Sequence, residues 1–382
     1  MTFETAKSFI DKLLNDEYEN INRDNTFAVI FEFIGGEPLM EVHLIQKLCQ
    51  YILNEMVRLN HPWTLYTKFN ICSNGILYET PAVQEFFQKY GKFCSFTISI
   101  DGNKMLHDAC RLDLQGNGTY DRAMSAVHKY QEQFGDVPRT KMTIAPNNIN
   151  YVYDAVINLI NEGYTSATFN CVFENVWNLD YAKIYYSQLK KVADYLIENN
   201  LYNKVNVRLF EETFYHPMEE RENENWCGGT SSLNIAIDAD GIFYPCIRYM
   251  KSSLNGRQEP IAVGSIEQGF NNTEEHKANN AMLDSITRRS QSTDKCFYCP
   301  IAMGCAWCSA YNYEEFGTPN KRATYICDMH KAISMANVYY WNKLYKYLGI
   351  DKTFEMHIPK EWALEIIDED EYNYLLTLSK GV

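Results

Sequence analysis

Seven of the twelve cysteines in this 382-residue chain fall between positions 227 and 327, and that crowding constrains the fold more than any other feature. Four of them, Cys296, Cys299, Cys305 and Cys308, sit within thirteen residues as two CxxC pairs separated by five positions. Cys227 and Cys246 precede this run, and Cys327 follows it. Short spacing lets one turn present two sulfurs to a common centre, as zinc and iron–sulfur sites require. Seven thiols are too many for one tetrahedral metal and nearly enough for two four-thiolate clusters, so order and spacing favour iron–sulfur over structural zinc. Unligated core cysteines do not account for so dense a run. The remaining five, Cys49, Cys72, Cys94, Cys110 and Cys171, are scattered singly through the first half.

The N-terminal MTFETAKSFIDKLL has no basic segment and no small-residue cleavage site. No secretory signal is read there, and the expected compartment is the cytoplasm, where disulfides are rare. No apolar run reaches membrane-spanning length, so no membrane partner is expected. A net charge of -14 repels a polyanion, which argues against nucleic acid and tolerates a neutral or cationic peptide. The length and the 46% hydrophobic content suit a folded chain of two domains.

Residues 2–14 read as an amphipathic helix capped by Thr2. Units of strand then helix follow: 27–36 with 39–58, 64–75 with 80–90, and 93–102 with 119–134. Two more are 139–148 with 149–162, and 165–174 with 180–199. Such alternation over roughly 200 residues predicts α/β architecture, with βα units around a parallel sheet or barrel. Three strands end in turns with glycine: GGEP at 35–38, SNG at 73–75 and SIDG at 99–102. Any one of these is an ordinary βα turn, but three on successive strands point to a ligand site at the C-terminal strand ends. Because the array opens on a helix, a first strand is expected to be missing. After residue 205 come a strand at 205–210, an acidic linker at 211–225, a hairpin at 232–249 around DADG, and helices near 274–290 and after Cys327.

The cysteine order resembles the SPASM domain of radical S-adenosylmethionine (SAM) peptide-modifying enzymes. It shows a first cysteine, a GxxxxC hairpin ending at Cys246, a four-cysteine run and a last cysteine. The fourth spacing is one residue shorter than the family's commonest form. The resemblance implies that Cys296, Cys299, Cys305 and Cys327 hold one auxiliary [4Fe–4S] cluster. It assigns Cys227, Cys246 and Cys308 to three irons of a second. Relatives that supply a further ligand carry it soon after the first cysteine, where this chain has GGTSSLNIAID, so one iron would be open to substrate or water.

The first half is similar to a radical SAM barrel. GGEP (Gly35, Gly36, Glu37, Pro38) matches the motif whose carboxylate receives the SAM amino group. Ser99, Asp101 and Arg111 in SIDGNKMLHDACRLD match a family segment in which the serine contacts SAM and the arginine binds its carboxylate; Asn74 is a weaker match. Taken singly, Glu37 could cap a helix, Asp101 could serve a turn, and Arg111 could be a surface charge. The family's CxxxCxxC loop is absent before Cys227, and the expectation is N-terminal truncation, with a degenerate homologue as the other account.

The resemblance therefore implies a partial radical SAM (βα) barrel lacking its first strand over 1–210, a SPASM auxiliary-cluster domain over 211–345, and an acidic C-terminal tail over 346–382. The implied enzyme cleaves SAM reductively to a 5′-deoxyadenosyl radical that abstracts hydrogen from a ribosomally made, cysteine-containing precursor peptide. A thioether crosslink is the preferred product, and a ferredoxin or flavodoxin is the implied reductant. The catalytic base is not assigned. Lacking the cluster loop, the isolated chain is expected to be inactive. The alternatives are a formylglycine-forming sulfatase maturase, which needs an aspartate where Ile247 follows Cys246, and a non-catalytic iron–sulfur peptide-binding or electron-transfer partner.

Overall fold

The computed structural model describes residues 1–15, 28–219, 225, 227–230 and 234–380. The first residue of the strand expected at 27–36, residues 220–224 of the linker and the opening of the hairpin at 232–233 lie outside these.

Helix α1 (Phe3–Leu14) starts where the Thr2 side chain accepts from the Thr5 amide, and it buries Ala6, Phe9, Ile10, Leu13 and Leu14 as one stripe. Strands β1 (Val29–Phe33), β2 (Thr67–Ser73) and β3 (Cys94–Ile98) form a parallel sheet in that order. The array continues through a parallel bridge between Thr97 and Arg139. Beyond it β4 (Met142–Ile144) pairs with β6 (Phe169–Cys171), and β5 (Ser166–Ala167) pairs with β7 (Asn206–Val207), both parallel. The strands thus succeed one another in chain order, as expected of an open βα array.

Between them run α2 (Val42–Arg58), α3 (Pro81–Tyr90), α4 (Lys104–Cys110), α5 (Tyr120–Phe134), α6 (Val152–Asn161) and α7 (Leu179–Glu198). Along β2, Thr67, Phe69, Ile71 and Ser73 are buried, while Lys68 and Cys72 are exposed. That period of two turns one face onto the helices and leaves the other open. Beneath the buried face Tyr78, Phe87, Phe96 and Tyr130 pack ring on ring, with Phe96 and Phe87 centroids 4.7 Å apart.

Three details depart from expectation. The strand at 165–174 is broken at Thr168, whose carbonyl accepts from the Met142 amide, so β5 and β6 pair with different neighbours. Helix α4 occupies what reads as a loop, because the Asn103 side chain caps the Leu106 amide. The helix expected at 274–290 is two: α8 (Glu274–Asp284) stops, and Thr287 and Ser290 form a capping box that starts α9 (Arg288–Gln291).

The C-terminal half adds an antiparallel meander of β8 (Ala236–Ile237), β9 (Ile242–Tyr244), β10 (Gly264–Ser265) and β11 (Gly269–Phe270). The DADG turn forms because Asp238 accepts from the Asp240 and Ile242 amides while Gly241 takes a φ of 82°. Short α10 (Asp294–Phe297) and α11 (Ser309–Phe316) flank the cysteine run. Then α12 (Cys327–Leu348) leaves the cysteine region and packs along α7 of the barrel. No helix among the described residues is long and apolar enough to cross a membrane.

Residues beyond 346 form α13 (Lys360–Ala363) and α14 (Glu369–Ser379), and they are folded onto the body of the protein. Glu371 accepts from Lys190 Nζ at 2.7 Å and from the Tyr186 hydroxyl. Asn342, 2% exposed, clips the same segment: its Nδ2 lies 2.9 Å from the Phe354 carbonyl and its Oδ1 2.9 Å from the Phe354 amide. Asn342→Leu strands both backbone groups, and we expect a loss of about 2 kcal/mol in urea unfolding. A change within about 0.5 kcal/mol, the usual scatter of surface substitutions, would show that the clip carries no stability.

Candidate functional site

The ends of β1, β2 and β3 meet through Glu37. Its Oε1 accepts from Leu39 N at 3.0 Å, capping the turn Pro38–Glu41, and from Ser73 Oγ at 2.8 Å. Its Oε2 accepts from Asn74 N at 2.9 Å. The Ser99 amide donates to the Ser73 carbonyl at 3.0 Å. Glu37, Ser73, Asn74 and Ser99 are therefore one contiguous edge, and Glu37 does cap a helix. The Asn74 side chain accepts from the Ile76 amide, which fixes the turn. Gly35 and Gly36 have no positive φ, and a Cβ on either would meet nothing within 4 Å. Among the described residues, neither backbone conformation nor packing asks for glycine there.

Arg111 faces the same edge. Its Nε donates to Asp101 Oδ2 at 2.5 Å, while Asp101, 9% exposed, keeps Oδ1 without a partner. The two Nη nitrogens of Arg111 make no hydrogen bond among the described residues. Sequence reasoning missed what holds this pair. His107, 1% exposed, accepts from the Asp101 amide at Nδ1 (3.4 Å), and its Nε2 lies 3.1 Å from Thr119 Oγ1. Thr119 Oγ1 donates to the Arg111 carbonyl at 2.9 Å, so Nε2 carries the imidazole proton. Burial, then the Arg111 cation, hold the His107 pKa below its usual value, consistent with that neutral tautomer. Gly102, with φ 88°, lets α6 come close, since a Cβ there would stand 2.6 Å from Ala155 Cβ.

The seven C-terminal cysteines fall into two electrostatic neighbourhoods. Cys296, Cys299, Cys305 and Cys327 act on one another and on Arg322. Cys227, Cys246 and Cys308 form the other, around the buried hydroxyls of Tyr249 and Ser309. Ser309 Oγ lies 3.1 Å from Cys227 Sγ and accepts from Tyr249 OH at 3.0 Å. Desolvation pushes Cys327 up to about 12 and Cys246 up to about 11, and it raises Cys299, Cys305 and Cys308 as well. Such thiols stay protonated until a metal displaces the proton.

Among the described residues no three His, Cys, Asp or Glu side chains converge closely enough to hold a single metal ion. A cube of four irons spreads its terminal thiolates wider than one tetrahedral ion does. Six of the seven cysteines are half-buried and Cys327 is exposed, and soft donors beside guanidinium groups suit such an anionic cluster in their chemistry. Of the other cysteines, Cys49 is fully buried in the helix layer, whereas Cys72 and Cys110 are exposed.

The chain shares its fold with solved structures of anSMEcpe. The structure aligns with native anSMEcpe with bound AdoMet (S-adenosylmethionine) and Kp18Cys peptide at a TM-score of 0.62 and 17% identity, covering 92% of this chain and 91% of that one. It aligns with a polyhistidine-tagged anSMEcpe with bound AdoMet at a TM-score of 0.63 and 16% identity, covering 96% of this chain and 89% of that one. In sequence, it is similar to an uncharacterized protein of Methanocaldococcus jannaschii, 29% identical over 173 residues, or 44% of this chain and 52% of that protein. The match thus spans about half the length of that relative. The chain is also 20% identical over 316 residues to the cysteine-type anaerobic sulfatase-maturating enzyme of Clostridium novyi, covering 78% of this chain and 77% of that protein. No family model matches.

Proposed function

We propose that this chain is a radical SAM peptide maturase by resemblance, directed at a cysteine-containing precursor peptide and at thioether crosslinking, but one that has no CxxxCxxC and is therefore inactive as an isolated chain. SAM and the two auxiliary clusters, when bound, would supply binding and electron-transfer chemistry, whereas the SAM-cleaving cluster has no CxxxCxxC to hold it here. The chain's own residues bind and orient. The free Nη fork of Arg111 is placed to take the carboxylate of the SAM methionine moiety, and Asp101, held by His107, aims that fork. Glu37, already tethered to Ser73 and Asn74, offers its remaining lone pairs to the ammonium. Cys296, Cys299, Cys305 and Cys327 would hold one [4Fe–4S] cluster. Cys227, Cys246 and Cys308 would hold the second, with one iron open to a substrate sulfur. A ferredoxin or flavodoxin would supply electrons.

The observation that carries this reading is Arg111, half-buried and, among the described residues, paired through Nε alone, beside a strand end where no described neighbour requires glycine. Sulfatase maturation is the second reading, favoured by the likeness to the Clostridium enzyme and opposed by Ile247, an exposed aliphatic residue where a base is needed.

Equilibrium binding of SAM to the reconstituted chain tests the assignment. Arg111→Gln is expected to weaken binding at least about tenfold, about 1.4 kcal/mol. Unchanged affinity would remove Arg111 from the site. Because this chain has no CxxxCxxC, reconstituted protein given SAM and dithionite is expected to release no 5′-deoxyadenosine. Release of that product would overturn the inactive reading.

A further inference from the structure

Two arginines, Arg288 buried and Arg322 half-buried, stand against the four-thiol neighbourhood without a carboxylate between them. Arg288 is 3% exposed. Its Nη2 donates to the Cys296 carbonyl at 3.3 Å and to the Phe297 carbonyl, its guanidinium lies 4.6 Å from the Phe297 ring centroid, and its Nε and Nη1 have no partner. Arg322 donates through Nη2 to the Cys305 carbonyl at 3.2 Å, and its positive charge favours the Cys305 thiolate. The Arg322 amide donates to the Gln291 carbonyl at 3.0 Å, which ties its segment to the helix that carries Arg288. Neither guanidinium meets an acidic side chain among the described residues.

A buried, unpaired cation is costly, and a second cation close by repels it as well. The arrangement becomes favourable when an anion of about two charges lies between them. A [4Fe–4S] core held by four cysteines is such an anion, formally dianionic when oxidised and more negative by one charge after taking up one electron.

We propose that Arg288 and Arg322 are the charge-compensating pair for the cluster held by Cys296, Cys299, Cys305 and Cys327, and that they set its reduction potential. This rests on the reading that those cysteines hold an iron–sulfur cluster. One electron enters from a low-potential donor such as a reduced ferredoxin. The added charge would remain on the cluster, with the two guanidiniums of Arg288 and Arg322 stabilising it, so no proton need follow.

The test is anaerobic reconstitution of the wild type, Arg322→Gln, Arg322→Lys and Arg288→Gln, with iron and sulfide counted per chain. Dithionite titration at controlled potential then follows the reduced clusters by electron paramagnetic resonance. With iron unchanged, each glutamine variant is expected to move one of the two reduction waves to lower potential by at least a tenfold change in electron affinity, about 59 mV for one electron. Arg322→Lys, which keeps the charge, should stay near the wild type. Loss of about four irons in Arg322→Gln that Arg322→Lys restores also supports the proposal. It is overturned if glutamine variants with full iron titrate as the wild type does, or if lysine behaves as glutamine. Wild-type protein that takes up no iron, or holds stoichiometric zinc, sinks the cluster reading itself, whatever the arginine variants do.

Discussion

Replacing Cys305 with alanine is expected to halve the iron of the reconstituted chain, from about eight atoms to about four. Cys246→Ala should halve it too, and the double variant should hold almost none. The reason is the division of the thiols. Cys305 is coupled to Cys296, Cys299 and Arg322, whereas Cys246 is coupled to Cys308 and Cys227. Two groups that share no sulfur should empty independently. Iron and acid-labile sulfide counts, with the visible absorption of each variant, provide the measurement. Loss of all iron from either single variant would show one shared centre, and stoichiometric zinc would replace the cluster account with a structural-metal one.

Acid should destabilise the protein over a defined window because of His330. Its ring is 7% exposed, its Nε2 donates to the Ile301 carbonyl at 2.9 Å, and it sits 5.2 Å from the Tyr215 ring. Burial, with a smaller contribution from the Arg322 cation, lowers its pKa to about 4, and the hydrogen bond to Ile301 only partly opposes this. In the unfolded chain an imidazole titrates near 6.5, so between these values the unfolded state holds a proton that the folded state refuses. Unfolding free energy then rises with pH across the window. The full contribution is present above about 6.5 and is lost as pH falls towards 4, amounting to about 3 kcal/mol.

His61, His107 and His276 are also shifted downward, so the wild-type slope includes them. Comparison with His330→Gln isolates the one residue, since glutamine keeps a donor for the Ile301 carbonyl and does not titrate. Urea midpoints from pH 4 to 7 should fall less steeply in the variant. Parallel curves would show that His330 is solvated enough to titrate normally.

Much of this architecture was legible in the chain. Period-two alternation in TKFNICS gave β2, the Thr2 cap and apolar stripe gave α1, and DADG gave its hairpin, because each depends on neighbours a few positions away. The same locality explains the misses. The break at Thr168 follows from pairing with two different strands, and the division of the helix near 285 from a capping box that competes with continuation. The acidic composition after 346 gave no hint that Asn342 and Lys190 anchor that segment, since both partners are remote in sequence.

The same holds for the candidate sites. Spacing alone announces that Cys296, Cys299, Cys305 and Cys308 belong to a thiol-rich module, and turns with glycine announce where strands end. Spacing does not say whether Cys308, three residues after Cys305, belongs with Cys227 and Cys246 or whether Cys327 joins the others; family resemblance suggested that division, and the thiols that influence one another's titration are consistent with it. Nor does it say that Arg288 and Arg322 donate to the Cys296 and Cys305 carbonyls or that His107 accepts from the Asp101 amide. Periodicity and caps are short-range and are written into adjacent residues. Charge pairing and burial act through space, and only the closed fold decides which distant groups share a low-dielectric site.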